Sequence, residues 1–333
     1  MNPLPRLILA KDLSRIGLTT RALSAQARSG KLVRIRHGVY VEAARWNDLK
    51  PWEQYRLGVE AAAETFTSPT TFSHHSAATI RGIPVILRKQ PVHALTAFSA
   101  GGRSRAGVRR HYVPEQAHNS EQLEGFLITG RVRTVLDIAA TVPFAEAVVP
   151  IDHVLKPDVV RGVPAVSKGE LLAGIDGTYS QAAARRIGAV VDFADPQSSS
   201  PGESYSRGLI HVAGFAPPVL QYRVRNGGVT IATTDFYWEE TRVVGEFDGR
   251  EKYLKPEYLR GRTPSDVVYE EKVREDRIRA TGRNVARWAW DELNSPGRLE
   301  RILLDAGVPL RRRASAGHPN GSVTSKRAGD TRI

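Results

Sequence analysis

The 333-residue sequence contains no cysteine. That single absence excludes disulfides, thiolate zinc sites and cysteine nucleophiles, and it fits a reducing compartment such as the cytoplasm. No apolar run approaches the ~20 residues that a membrane helix needs. The N-terminal LPRLILAKD is too short for a secretory segment and is broken by Arg6, so no signal peptide is expected. Acidic charge is in deficit, leaving a formal net charge of +13. Of the Lys and Arg residues, six lie in the stretch from Arg311 to Ile333 against one Asp, so most of the excess belongs to the rest of the chain. A surplus of that size points to a polyanionic partner, most simply nucleic acid. With 41% hydrophobic and 25% charged residues the chain reads as folded, and its length suggests two or three domains.

Residues 1–50 have the pattern of a small unit. A short helical stretch is followed by a turn at Gly17 and a second helix, capped by Thr19 or Thr20 and closed by Gly30. Two β-rich runs, Leu32–Arg36 and Val39–Val41, hinge at His37-Gly38. Helix, turn, helix and hairpin is the order of a winged helix-turn-helix. Arg21, Arg28, Lys31, Arg34 and Arg36 then fall where a recognition helix and a basic wing would meet DNA. The plainer reading is a helical hairpin with a solvated basic face.

Residues 51–195 mix helical periodicity, as in Trp52–Phe66 and RTVLDIAATV, with strand-like runs in VHALTAF, VRRHYV and GFLITGRVR. His74-His75 suggests a metal pair at first sight. Adjacent residues on a helix do not face each other, and no HExxH spacing follows, so capping or packing is the expected role. DPQSSSPG reads as a linker. From Ser200 onward the pattern is α-β-β-β-α-β-α. Ser200-Pro201 opens a helix, Asn226-Gly227-Gly228 turns a hairpin, and Thr263-Pro264 opens a long helix stopped by Gly282.

The stretch TTDFYWEETRVVGEFDGREKY places Asp235, Glu246 and Asp248 among strand residues. If Glu239–Arg242 forms the loop, Trp238 pairs with Val243 and Asp235 falls opposite Glu246. Asp248 shares a face with Glu246 because strand side chains alternate. Three carboxylates so placed repel one another unless a divalent cation such as Mg²⁺ (or Mn²⁺) sits among them. Lys252 follows within reach to orient water or neutralise a phosphate. This set of parts suits metal-assisted phosphodiester hydrolysis. Glu203 is a further candidate acid, although it also stands in capping-box register with Ser200. The alternative for the strand acids is a surface face of ion pairs to Arg242, Arg250 and Lys252.

The run from GESYSRGLI through DFYW and GEFDG to REDRIRATGRNVARWAW resembles proteins related to very-short-patch-repair endonucleases, of the restriction-endonuclease-like PD-(D/E)XK superfamily. That resemblance implies Asp235 as the metal-binding aspartate, Glu246 as the acid opening the E-x-K element, and Glu203 as the helix acid. Position 248 is Asp where that element has lysine, which makes Lys252 the stand-in. A second resemblance, carried by GLTTRALSAQARSGKLVRIRHGVYV, SHHSAATIRGIP and RVRTVLDIAATV, is to AbiEi-like antitoxins and transcriptional regulators of type IV toxin–antitoxin systems. It implies a DNA-binding winged helix, promoter repression and a nucleotidyltransferase-type toxin as partner.

The expected fold class is therefore α/β and multi-domain. It comprises a winged helix-turn-helix (1–50), a mixed α+β AbiEi-like middle (51–195), a restriction-endonuclease-like αβββαβ domain (196–310) and a disordered basic tail (311–333). The expected function is Mg²⁺-dependent hydrolysis of DNA, with a non-catalytic AbiEi-like repressor as the alternative.

Overall fold

The computed structural model describes residues 3–13, 19–98, 107–114, 119–249 and 263–311. Gly17, Arg250, Lys252 and the tail beyond Arg311 lie outside these residues. The described chain is a mixed α/β structure with helices and several sheets. No described helix is long and apolar enough to cross a membrane.

The first unit runs β1 (Ile8–Leu9), α1 (Ala10–Leu13), α2 (Thr20–Arg28), β2 (Leu32–Arg36) and β3 (Val39–Glu42). Thr19 is the α2 cap, its hydroxyl accepting from the Ala22 amide at 3.4 Å. The strands form one sheet in the order β1-β3-β2. Arg36 pairs with Val39, so His37-Gly38 is a two-residue turn, and Gly38 takes a φ of +74° that a side chain would resist. Leu23, Leu32 and Tyr40 form the small core under α2. β1 was read as helical; two residues carry too little periodicity to register as a strand.

Next come α3 (Ala43–Asn47), α4 (Pro51–Ala63), α5 (His74–Arg81), β4 (Val92–Thr96), β5 (Val108–Tyr112), β6 (Ser120–Leu123) and β7 (Phe126–Thr129). β4 and β5 run parallel, while β6 and β7 form a hairpin. The strand expected over GFLITGRVR stops at Thr129, because Gly130 caps the helix that follows. β6 is nearly all polar and exposed, and no apolar alternation announces it. The helices α6 (Arg131–Thr141), α7 (Phe144–Val154), α8 (Lys168–Ala173) and α9 (Gln181–Phe193) then pack around Val135, Leu136, Ile138, Val148, Ile151, Leu171 and Ile187.

The last unit runs α10 (Pro201–Val212), β8 (Val219–Asn226), β9 (Val229–Trp238), β10 (Val243–Phe247), α11 (Pro264–Ala280), β11 (Asn284–Trp288), α12 (Trp290–Leu293) and α13 (Arg298–Asp305). This is the expected element order, with the short α12 added. The sheet order is β11-β10-β9-β8, antiparallel except between β10 and β11, which run parallel on either side of the α11 crossover. One face of the sheet, bearing Phe236, Trp238, Phe247 and Trp288, packs on Tyr205 and Ile210 of α10. The other face, bearing Tyr237, Val244 and Val285, packs on Ile278 of α11.

α10 also lies against α7. Gly208 permits the approach, since a Cβ there would stand 2.6 Å from the Ala145 Cα. Beside that crossing, the Arg207 guanidinium donates to both Asp152 carboxylate oxygens at 2.7 Å and to the Phe193 carbonyl at 2.8 Å. The stretch read as a linker is anchored here. The Asp195 amide donates to Asp152 at 2.8 Å, and Lys156 donates to the Ser198 carbonyl. Burial pushes the Asp152 carboxyl up, against the pull of Arg207. Arg207→Ala would strand that carboxylate, and we expect a loss of about 3–5 kcal/mol in chemical denaturation. Arg207→Met with Asp152→Leu should recover most of the loss.

Candidate functional site

Two groups of candidate residues can be placed. On the first unit, Arg21 and Arg28 of α2, Lys31 before the hairpin and Arg34 of β2 are each exposed. Arg34 donates to the Arg36 carbonyl at 3.4 Å and lies 2.9 Å from His37 Nδ1, which holds its guanidinium at the turn. Arg36 differs from the expectation. The pairing register shifts between Arg34 and Arg36, and Arg36 is half-buried with its Nε lacking a hydrogen-bond partner. Burial lowers its pKa from the usual value.

The second group lies on the last sheet. The Trp238–Val243 pair forms as the loop length requires, followed by Tyr237–Val244 and Phe236–Gly245. The ladder pairs end there, and Asp235 and Glu246 are the next residues of the two strands. Asp235 Oδ2 accepts the Phe247 amide at 2.9 Å, so this carboxylate closes the ladder where the strands part. The Asp248 amide donates to the Trp288 carbonyl at 2.8 Å and extends the β10–β11 ladder.

Glu246 is buried and faces cations. Arg287 of β11 donates to its Oε2 from Nε at 3.1 Å and from Nη2 at 2.9 Å. Arg274 of α11 brings Nη2 to 2.7 Å from Oε1, an ionic approach outside hydrogen-bond geometry. Glu271 and Glu275 of α11 complete the network through Arg287. Burial works against the Arg287 charge, but hydrogen bonds and charge from Glu271 and Glu246 hold it above its usual pKa. Among the described residues, the ion pairs of Glu246 thus come from Arg274 and Arg287. Arg242, once considered for Glu246, donates to the Thr281 carbonyl at 2.8 Å. It sits in the loop at the opposite end of β10 from Asp248. Arg250 and Lys252 lie outside the described residues.

Glu203 is buried at the start of α10. The Ser200 hydroxyl accepts the Glu203 amide at 3.2 Å, and Glu203 Oε2 accepts from the Ser199 amide at 2.8 Å and from Gln221 Nε2 at 3.0 Å. Its carboxylate is therefore a helix-start cap that also fixes Gln221. Gln221 occupies a left-handed φ of +48°, between the paired residues Leu220 and Tyr222. Glu203 lines a cleft of about 960 Å³ that also includes Ile83, Ile86, Phe247, Gly249 and Trp290.

Whether Asp235, Glu246 and Asp248 fit Mg²⁺ can be judged from their partners. A hard divalent ion needs free carboxylate oxygens. Both Glu246 oxygens face guanidinium groups, and one Asp235 oxygen is taken by a backbone amide. Among the described residues the carboxylates form no group of three tight enough for one ion. As paired here, Glu246 keeps neither oxygen clear of a guanidinium for such an ion.

Comparison with known proteins bears on the first unit. Residues 5–43 match the family profile of the transcriptional regulator, AbiEi antitoxin. This stretch covers β1 through β3. Two proteins of Mycobacterium tuberculosis are similar over a longer span. They are Uncharacterized protein MT2308 of strain CDC 1551 / Oshkosh and Uncharacterized protein Rv2248 of strain ATCC 25618 / H37Rv, each 26% identical over 251 residues, or 74% of this chain and 84% of theirs. The crystal structure of RV2827C protein from Mycobacterium tuberculosis aligns at a TM-score of 0.36 and 16% identity, over 60% of this chain and 75% of that one.

The Glu246 network makes a direct prediction. Were the acids mutually repelling, Glu246→Gln would relieve strain and raise the unfolding midpoint. With two arginines on that carboxylate, the substitution is instead expected to lower stability by about 1–3 kcal/mol, read by thermal or urea unfolding.

Proposed function

We propose that the protein is a DNA-binding regulator of the AbiEi antitoxin kind, with α2 and the β2–β3 hairpin acting as a winged helix-turn-helix. The observation that carries this reading is the family match over residues 5–43, a segment in which Arg21, Arg28, Lys31 and Arg34 are exposed. α2 is short enough to lie in a major groove, and the hairpin cations stand where a neighbouring phosphate run would pass. By the same reading the remaining chain serves to contact a partner, a toxin of the nucleotidyltransferase type being the one the family implies. In this account the αβββαβ unit has a restriction-endonuclease-like fold used for binding.

The test is a shift assay with the full chain on the DNA upstream of its own gene, across a salt series. Nucleic-acid binding driven by phosphate contacts weakens with salt, with a log–log slope near 0.9 per contact. Arg28→Ala with Arg34→Ala should weaken binding and make that slope shallower by about two contacts. An unchanged affinity and slope in the folded double variant would reject the assignment of this face.

A second reading, Mg²⁺- or Mn²⁺-dependent cleavage of DNA, draws support from one observation, the β9–β10 register that ends at Phe236–Gly245 and leaves Asp235 and Glu246 as the next residues of their strands. It requires Arg274 and Arg287 to release Glu246. Incubating supercoiled DNA with the protein and either metal separates the two. Metal-dependent cutting lost in both Asp235→Ala and Glu246→Ala would overturn the purely regulatory account; bound but intact DNA is the expected result.

A further inference from the structure

The middle of the chain holds a feature that neither reading uses. His74 and His75 at the start of α5, His93 on β4 and His111 on β5 gather at one place, and all but His111 are buried. The His74 and His111 rings stack with centroids 3.8 Å apart, and His93 lies 5.1 Å from His74 and 5.2 Å from His111. His93 Nδ1 is 2.9 Å from His111 Nε2. One nitrogen from each of His74, His93 and His111 lies within 4.8 Å of the other two.

Packing alone accounts poorly for this arrangement. Each neutral imidazole has one donor and one acceptor nitrogen, and burying either without a partner costs free energy. The cluster nonetheless leaves His75 Nδ1 and Asp137 Oδ2 buried without hydrogen bonds. His74 also adopts a φ of +49°, a left-handed conformation that a non-glycine residue holds only under constraint. The far nitrogens are oriented as ligand imidazoles are in metal sites, where the second ring nitrogen meets an oxygen. His74 Nδ1 lies 3.0 Å from the Ser73 hydroxyl and 3.9 Å from Asp137 Oδ2. His93 Nε2 lies 3.4 Å from Gln90 Oε1. Asp137 is itself positioned by Arg133 at 2.7 Å and the Tyr179 hydroxyl at 2.8 Å. His93 Nδ1 and His111 Nε2 meet at 2.9 Å, and one nitrogen of His74 lies within 4.8 Å of a nitrogen of each, although the His74 ring stacks on His111.

We propose that His74, His93 and His111 form a three-histidine site for a divalent transition-metal ion, of which zinc is the best match, with Ser73 hydrogen-bonded behind His74 and the Asp137 carboxylate beside it as counter-charge. Three neutral nitrogen ligands suit zinc rather than Mg²⁺ or Ca²⁺, which take oxygen. Tetrahedral zinc places its nitrogen ligands about 3.3 Å apart, given Zn–N bonds of about 2.0–2.1 Å. The His93–His111 pair needs only a small ring rotation to meet that, whereas the His74 ring must turn out of its stack on His111 to aim a nitrogen at the ion; the broad χ2 of histidine allows both. The guanidinium charges of Arg109 and Arg133 reach the cluster. The same arginines oppose the ion, and Asp137 offsets them.

The test uses the full-length chain without a histidine tag. After dialysis against zinc and then buffer, elemental analysis should return one zinc per chain. Titration against a chromophoric chelator should show the His93→Asn, His111→Gln variant losing stoichiometric binding. Asp137→Asn should weaken binding by about 10-fold or more, as loss of an outer-shell partner does. Cobalt substitution should give the visible absorption of a tetrahedral nitrogen site in the parent chain and none in the double variant. Because the double variant removes two packed rings, His111→Gln alone, at the half-exposed position, serves where the double variant does not fold. Substoichiometric zinc in the folded parent chain, or equal affinity in a folded histidine variant, would overturn the proposal.

Discussion

The buried ion pair between Asp152 and Arg207 sets the relation of the middle helices to the last sheet. A carboxylate fully removed from water is tolerated only with its counter-charge in place, and here the counter-charge comes from the other side of the α7–α10 crossing. The crossing is close because Gly208 has no side chain to hold the helices apart. In consequence Ala145 and Val149 of α7 join the same core as Phe236, Phe247 and Trp288. The last sheet is therefore covered on this face by α10 and α7 together. DPQSSSPG behaves as a fastened connection, which its composition alone did not indicate.

The same economy of charge runs through the chain. Glu246 faces Arg274 and Arg287, Asp137 faces Arg133, and Glu146 faces Arg88. These buried acids each engage at least one arginine, whereas buried Glu203 is held by the Ser199 amide and Gln221. The net positive charge is thus a poor guide to where a polyanion would dock, whereas the exposure of individual cations is a better one. On that criterion Arg21, Arg28, Lys31 and Arg34 stand apart from Arg207 or Arg287, whose charge is spent internally.

Much of the last unit was legible because its signals are local. β9 spans Val229–Trp238, starting at the expected Asn226-Gly227-Gly228 turn, and the four-residue loop fixes its register with β10, since a two-residue period admits one pairing that buries both apolar faces. The partners of Glu246 were not legible. Arg274 and Arg287 lie on elements whose placement depends on β10 and β11 being parallel, and no local pattern encodes that choice. The histidine cluster was hidden for a similar reason. His74-His75 drew notice as neighbours, which cannot chelate together from a helix, while their companions at 93 and 111 arrive through two parallel strands. β1 and β6 escaped because strands of two and four residues carry too few alternations to read.

The hairpin turn constrains what the first unit could do on DNA under the proposed reading. With only His37-Gly38 between paired strands, the wing has no extended tip to insert into a groove. Its cations then meet the phosphate backbone, which positions a protein but carries no sequence information. Arg34 is held beside the turn by His37, suiting such a fixed backbone contact. Base discrimination would fall to α2, where Leu23 faces the core and leaves the intervening exposed positions to reach outward. A regulator built this way gains affinity from the hairpin and selectivity from one short helix. A single nine-residue helix reads few base pairs, so selectivity for an operator would require two copies of the chain on adjacent half-sites.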